Sequence, residues 1–127
     1  MLLNLTDLSS EPLYSQILRQ LRAQILTGHI PKAKSIPSIR DLARTYKVSV
    51  ITVQKAYDEL VREGLVIARR GKGYFVADLA KSDRATMAKA HCKEALNTPI
   101  SSALNEGVEA SAIRQIVDDL INENTQK

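Results

Sequence analysis

The sequence predicts a mainly α chain with a small β-wing: a winged helix-turn-helix followed by a C-terminal two-helix dimerisation hairpin. Three observations carry that prediction. Two segments with helical apolar stripes, one around Ile39–Tyr46 and one from Val53 to Leu60, are separated by only a few residues, so two helices meet in a tight turn. Directly after them, Leu65-Val66-Ile67-Ala68 and Tyr74-Phe75-Val76 flank Arg69-Arg70-Gly71-Lys72-Gly73, which reads as a β-hairpin with a cationic tip. Beyond about Ala77 the composition turns small and polar, and the remaining apolar residues recur at helical spacing.

Each element follows in turn. Ser9-Ser10-Glu11-Pro12 reads as a helix start, with a serine as cap and proline near the first turn. Tyr14, Ile17, Leu18, Leu21 and Ile25 keep the helical period until Gly28 ends it. Residues 29–37, bounded by Pro31 and Pro37, form a connector. Ser38-Ile39-Arg40-Asp41 fits a capping box, opening a short helix on which Ile39, Leu42, Ala43 and Tyr46 share a face. Lys47-Val48 is the turn. Ser49 caps the next helix, whose inward positions are Val53, Ala56, Tyr57 and Leu60, and Glu63-Gly64 stops it. Glycines at 71 and 73 permit the positive φ of a tight hairpin turn. The tyrosines at 14, 46 and 57 fall on apolar stripes and are expected in the core with bonded hydroxyls.

In the last part, Ala85, Ala88, Cys92, Leu96, Ile100, Ala103 and Leu104 hold a helical period across Pro99. Proline there either kinks one long helix or breaks it, with Thr98 capping a new one. Gly107 ends the helix, and Ile113, Ile116, Val117, Leu120 and Ile121 stripe a final one. The expected domains are thus 1–77 and 78–127. The second stripe, facing Leu96, Ile100 and Leu104, is too large an exposed apolar surface for a lone hairpin and asks for a second copy of the chain.

Charge separates the same two parts. Residues 1–77 carry 12 Lys/Arg against 6 Asp/Glu, while residues 78–127 carry 6 against 8. The basic half is where a polyanion would be met. No run of apolar residues exceeds four, as at Leu65–Ala68, so no membrane span is expected, and no charged segment followed by an apolar one suggests a signal peptide. One cysteine, Cys92, excludes an intrachain disulfide and agrees with a cytoplasmic location. His91 beside it points elsewhere on a helix, so neither a metal site nor a cofactor is expected, and Cys92 is assigned a packing role. No paired carboxylates, Ser/His/Asp set or phosphate loop occurs, which argues against an enzyme.

Several motifs are distinctive: Pro12-Leu13-Tyr14-x-Gln16-Ile17, Leu21-Arg22-x-x-Ile25-x-x-Gly28-x-Ile30, Ile36-Pro37-Ser38-x-Arg40-x-Leu42-Ala43, Val48-Ser49-x-x-Thr52-Val53-x-x-Ala56-Tyr57-x-x-Leu60, Glu63-Gly64-Leu65-Val66 and Gly71-x-Gly73-x-Phe75-Val76. Together they resemble the GntR family of regulators over residues 12–76, and the short helical tail is similar to the YtrA subfamily. The resemblance implies a sequence-specific, double-stranded DNA-binding regulator, most often a repressor, acting as a homodimer on a two-fold operator. It implies a DNA contact by Arg40. The chain departs from the family in having Lys32-Ala33 where Pro-Gly is usual, and Val50-Ile51 where polar or basic residues are common. Apolar side chains there can meet thymine methyls but cannot bond guanine bidentately, so the resemblance names no operator, and no small-molecule effector is evident.

The expected DNA-facing residues are therefore Ser38, Arg40, Ser49, Thr52, Gln54, Lys55, Arg69, Arg70, Gly71 and Lys72. Hydroxyls and free N–H groups at the start of the recognition helix favour phosphate oxygens. Gln54 can read adenine, and Lys55 can reach phosphate. The expected dimerisation residues are Leu96, Ile100, Leu104, Ile113, Ile116, Val117, Leu120 and Ile121.

Overall fold

A computed structural model describes residues 2–126; Met1 and Lys127, which the expected domains include, lie outside the described residues. The element order is α1 (Leu13–Leu26), β1 (Ser35–Ile36), α2 (Ile39–Tyr46), α3 (Val50–Arg62), β2 (Val66–Arg69), β3 (Gly73–Val76), α4 (Lys81–Asn105) and α5 (Ala110–Thr125). The chain divides into two compact units, one through Thr86 and one from Met87.

In the first unit α1 and α2 pack on α3. Ile17, Leu21, Ile25, Leu42, Val53, Ala56, Tyr57, Leu60 and Leu65 are fully or almost fully buried, so the inward stripes of the three helices supply the core. An ion pair fixes the end of α3 to α1: Arg22 donates Nε and a terminal nitrogen to the two Glu63 carboxylate oxygens, both at 2.8 Å. Both side chains are mostly covered, and this planar two-bond geometry orients as well as attracts.

Helix α1 does not start as its serines suggest. Pro12 is its cap residue, without a side-chain cap bond. The Ser9 Oγ instead accepts from the Glu11 backbone N–H, because a serine two residues before an N–H closes a local turn as readily as it caps a helix. Glu11 supplies the negative charge at this helix start, held by Arg19 through two bonds of 3.1 and 3.0 Å. That guanidinium keeps the Glu11 carboxyl below its ordinary range.

Residues 2–6 lie along α1 in a way the sequence reading missed. Gln16 Oε1 accepts from Thr6 N while its Nε2 donates to Thr6 O, and Gln20 treats Asn4 identically. Gln24 donates to Leu2 O. Four residues of helix advance about 6 Å and two of extended chain about 6.6 Å, so glutamines at every fourth position match alternate residues of an antiparallel arm. The Leu3 N–H donates to the Tyr46 hydroxyl at 2.9 Å, which ties the same arm to α2.

The connector contains a strand. Ser35 and Ile36 pair with Phe75 and Tyr74, giving an antiparallel sheet of order β1-β3-β2. Two residues are too few for an alternation signal, and pairing with β3 alone orders them. The turn before β1 closes by Lys34 N donating to Pro31 O at 3.2 Å, with Ala33 at φ 65°. Alanine thus occupies the left-handed position that the family's usual glycine would fill.

Helices α2 and α3 begin as expected on serine caps: Ser38 Oγ accepts from Asp41 N and Ser49 Oγ from Thr52 N. The reciprocal half of the first capping box is absent, since the Asp41 carboxylate pairs with Arg44 one turn on. Lys47 between the helices is left-handed, at φ 56°. Gly64, at φ 79°, terminates α3 in a Schellman arrangement, with Gly64 N donating to Val61 O and Leu65 N to Leu60 O.

Pro99 lies inside α4, which continues unbroken for 25 residues. The same Schellman pattern ends it at Gly107. In the second unit no residue of α4 or α5 is buried. Ile100, Ile113 and Val117 are half-covered and line, with Leu104, a groove of about 490 Å³ near the turn. Leu96, Leu104, Ile116, Leu120 and Ile121 remain about half exposed. Cys92 is exposed in the single chain.

Candidate nucleic-acid interface

The first turn of α3 and the wing hold most of the DNA-facing candidates. At the start of α3, Ser49 Oγ and Thr52 Oγ1 lie 2.7 Å apart, and Ser49 Oγ also accepts the cap bond from Thr52 N at 3.0 Å. Both hydroxyls are engaged with each other. Gln54, one turn on, donates its Nε2 to Asp58 Oδ1 at 2.8 Å. Lys55 reaches back over the Tyr14 ring of α1, its Nζ 3.7 Å from the ring centre, a cation–π contact. Tyr14 is accordingly half-buried rather than core, as is Tyr46. Tyr57 alone of the three is fully buried, its hydroxyl donating to Pro37 O at 2.7 Å and its ring meeting Tyr74 edge-on at 5.0 Å.

Arg40 projects from the first turn of α2, exposed, while Leu42 and Ala43 of the same helix are buried. Ser38 beside it is exposed and serves as the cap. In the wing, Arg69 pairs with Gly73 across the strands, and Arg70, Gly71 and Lys72 make the connecting tip. The tip closes by Lys72 N donating to Arg69 O at 2.9 Å, with Gly71 at φ 74°. The Arg69 guanidinium lies 5.1 Å from the Phe75 ring centre. Among the described residues, Arg40, Arg70 and Lys72 have no ion pair or side-chain hydrogen bond. By contrast Arg19, Arg22, Arg44 and Arg62 are all paired to carboxylates. Uncompensated cations on the second helix and the wing tip present a surface fit for phosphate.

Three further residues lie exposed at this surface: Lys47, which the sequence did not single out, and the Val50-Ile51 pair, noted there for its fit to thymine methyls. Lys47 is exposed at the left-handed turn between the two helices. Ile51 is 80% exposed and Val50 48% exposed at the start of α3. Their signal was the apolar dipeptide directly after a cap serine, where an inward stripe would not begin. Among the described residues no group of three or more His, Cys, Asp or Glu could hold a metal ion, and no helix is long and apolar enough to cross a membrane.

Comparison with known proteins agrees with this geometry. The family described as bacterial regulatory proteins, gntR family, matches residues 13–76. The HTH-type transcriptional repressor YtrA of Bacillus subtilis is 33% identical over 112 residues, covering 88% of this chain and 86% of YtrA. Among solved structures, a transcriptional antiterminator from Listeria monocytogenes EGD-e superposes with a TM-score of 0.72 at 28% identity, over 94% of this chain and 90% of that one. AraR(DBD), solved in complex with operator ORE1, superposes with a TM-score of 0.51 at 31% identity, over 61% of this chain and 94% of its own.

Proposed function

This chain belongs to the gntR family of bacterial regulatory proteins, DNA-binding regulators of transcription, and from that premise we propose that it is a repressor acting as a homodimer on a two-fold operator. The observation that carries the reading is the unpaired set Arg40, Arg70 and Lys72 on a winged helix whose other arginines are mostly paired. These three, with Ser38, Ser49, Thr52, Gln54, Lys55, Arg69 and Gly71, form the DNA surface. Arg40 and the wing tip take phosphates, and the first turn of α3 enters the major groove. Lys55 contributes by swinging off the Tyr14 ring.

Dimerisation falls to the tail, residues 78–127. Leu96, Ile116, Leu120 and Ile121 are about half exposed on the same two helices as the groove lined by Ile100, Leu104, Ile113 and Val117, and a second copy would bury them. A single winged helix covers too little DNA to hold a site tightly. Two joined by a tail gain from effective concentration, because docking one places the other over its half-site. The name of its relative YtrA supports repression, and the similar AraR domain solved in complex with an operator supports double-stranded DNA as the ligand. The cytoplasm is where such a ligand is met.

The test is a titration of duplexes from the DNA flanking the gene by fluorescence anisotropy, combined with sedimentation velocity. A dimer that binds one inverted repeat far more tightly than scrambled DNA is expected. A monomer, or equal binding to every duplex, would refute the reading.

A further inference from the structure

The polar groups on the first turns of α3 are largely occupied within the protein, and the apolar ones are not. Ser49 and Thr52 satisfy each other, Gln54 is held by Asp58 and Lys55 is drawn to Tyr14. At 3.6 residues per turn, the buried positions Val53, Ala56, Tyr57 and Leu60 define one side of α3, and Ile51 falls almost diametrically opposite. It is 80% exposed, with Val50 beside it at 48%. An isoleucine in that place stabilises nothing in the folded unit. Its apolar surface gains only when something apolar covers it.

Resting on the reading of α3 as the recognition helix, we propose that Ile51, seconded by Val50, selects the operator by covering thymine 5-methyl groups in the major groove. The thymine methyl is the one apolar group that the major groove displays. Polar edges of guanine would be left facing isoleucine without a partner, so a guanine at that position is rejected rather than merely ignored. The cations at Arg40 and the wing tip supply affinity without sequence information, and Ile51 supplies discrimination. The operator should therefore carry a thymine under the first turn of α3 in each half-site.

The test starts from the full-length protein and a pool of randomised duplexes, from which bound sites are selected. In the selected site each thymidine is then replaced singly by deoxyuridine, which removes the methyl and nothing else. Burying one methyl is worth roughly a fourfold change in affinity, so one thymine per half-site should show about a three- to fivefold loss. Ile51→Ala, exposed and therefore expected to fold normally, should lose most of the distinction between the thymine and uracil versions. A selected site whose uracil replacements are all neutral, or an Ile51→Ala protein that distinguishes them as sharply as the wild type, overturns the proposal while leaving the DNA-binding reading intact. A pool from which no sequence is enriched overturns both.

Discussion

The Tyr57 hydroxyl donates a 2.7 Å hydrogen bond to the Pro37 carbonyl, joining the middle of α3 to the residue that precedes the cap of α2. The two helices of the DNA-binding motif thus share a buried polar tie besides their apolar contact. Tyr57→Phe should lower stability by about 1–2 kcal/mol, because the Pro37 carbonyl loses its partner. The change also has a pH signature. Burial, with Tyr74 adding to it, raises the Tyr57 pKa above its ordinary value, about 10 for a free tyrosine. The folded state then keeps a proton that the unfolded chain releases. Its contribution is intact below about pH 10 and is lost as pH rises beyond it. Thermal melts between pH 8 and 11 should show wild type falling more steeply at the alkaline end than Tyr57→Phe. Parallel curves would mean that this hydroxyl is not the group responsible.

Ala33→Gly should stabilise the protein. Ala33 sits at φ 65°, where a side chain costs about 1–2 kcal/mol, and glycine's greater freedom in the unfolded chain returns roughly 0.4–1 kcal/mol of that gain. A net increase of about 0.5–1 kcal/mol is expected from urea unfolding, with the slope unchanged. A loss of stability would show that the alanine methyl makes a contact worth more than the backbone strain.

Arg40→Ala and Arg70→Ala should each weaken operator binding severalfold with little change in melting temperature, since both side chains are exposed and unpaired. Each lost phosphate contact should also flatten the dependence of log affinity on log salt by about 0.9. Anisotropy titrations at four salt concentrations measure both effects. Unchanged affinity and slope in the two mutants would move the DNA surface elsewhere on the unit.

Ile116→Asp should produce a monomer, or a protein whose tail is partly unfolded while the first unit stays folded. Ile116 is half exposed in the single chain, so aspartate costs little there. In a dimer seam the carboxylate would be buried without a partner, at several kcal/mol. Sedimentation velocity distinguishes the cases, and circular dichroism reports the tail. A mutant that remains a dimer would place the interface away from α5.

The helices α1, α2 and α3 and the wing were legible in the sequence because each is specified locally. Val53, Ala56, Tyr57 and Leu60 repeat at helical spacing, Ser38 and Ser49 stand where caps must stand, and glycines sit at turns that need positive φ. The same local logic marked Arg40 and Arg69 to Lys72 as cationic. Strand β1 was not legible, because Ser35 and Ile36 become a strand only by pairing with Phe75 and Tyr74, some forty residues away. Nor was the clamp of Gln16, Gln20 and Gln24 on the arm, since the sequence holds the spacing but not the chain that lies against it.

Stated physically, the sequence by itself determined the family fold, the placement of charge and the two apolar stripes of the tail, all set by periodicity and by residue type over a few turns. Tertiary structure alone decided that α4 runs through Pro99 unbroken, that Lys55 rests on Tyr14 and that Gln54 is held by Asp58. It also decided which cations stay unpaired and left Ile51 exposed on α3. Those outcomes depend on which side chains and backbone groups meet in space, and a partner's distance is not written in the spacing along the chain.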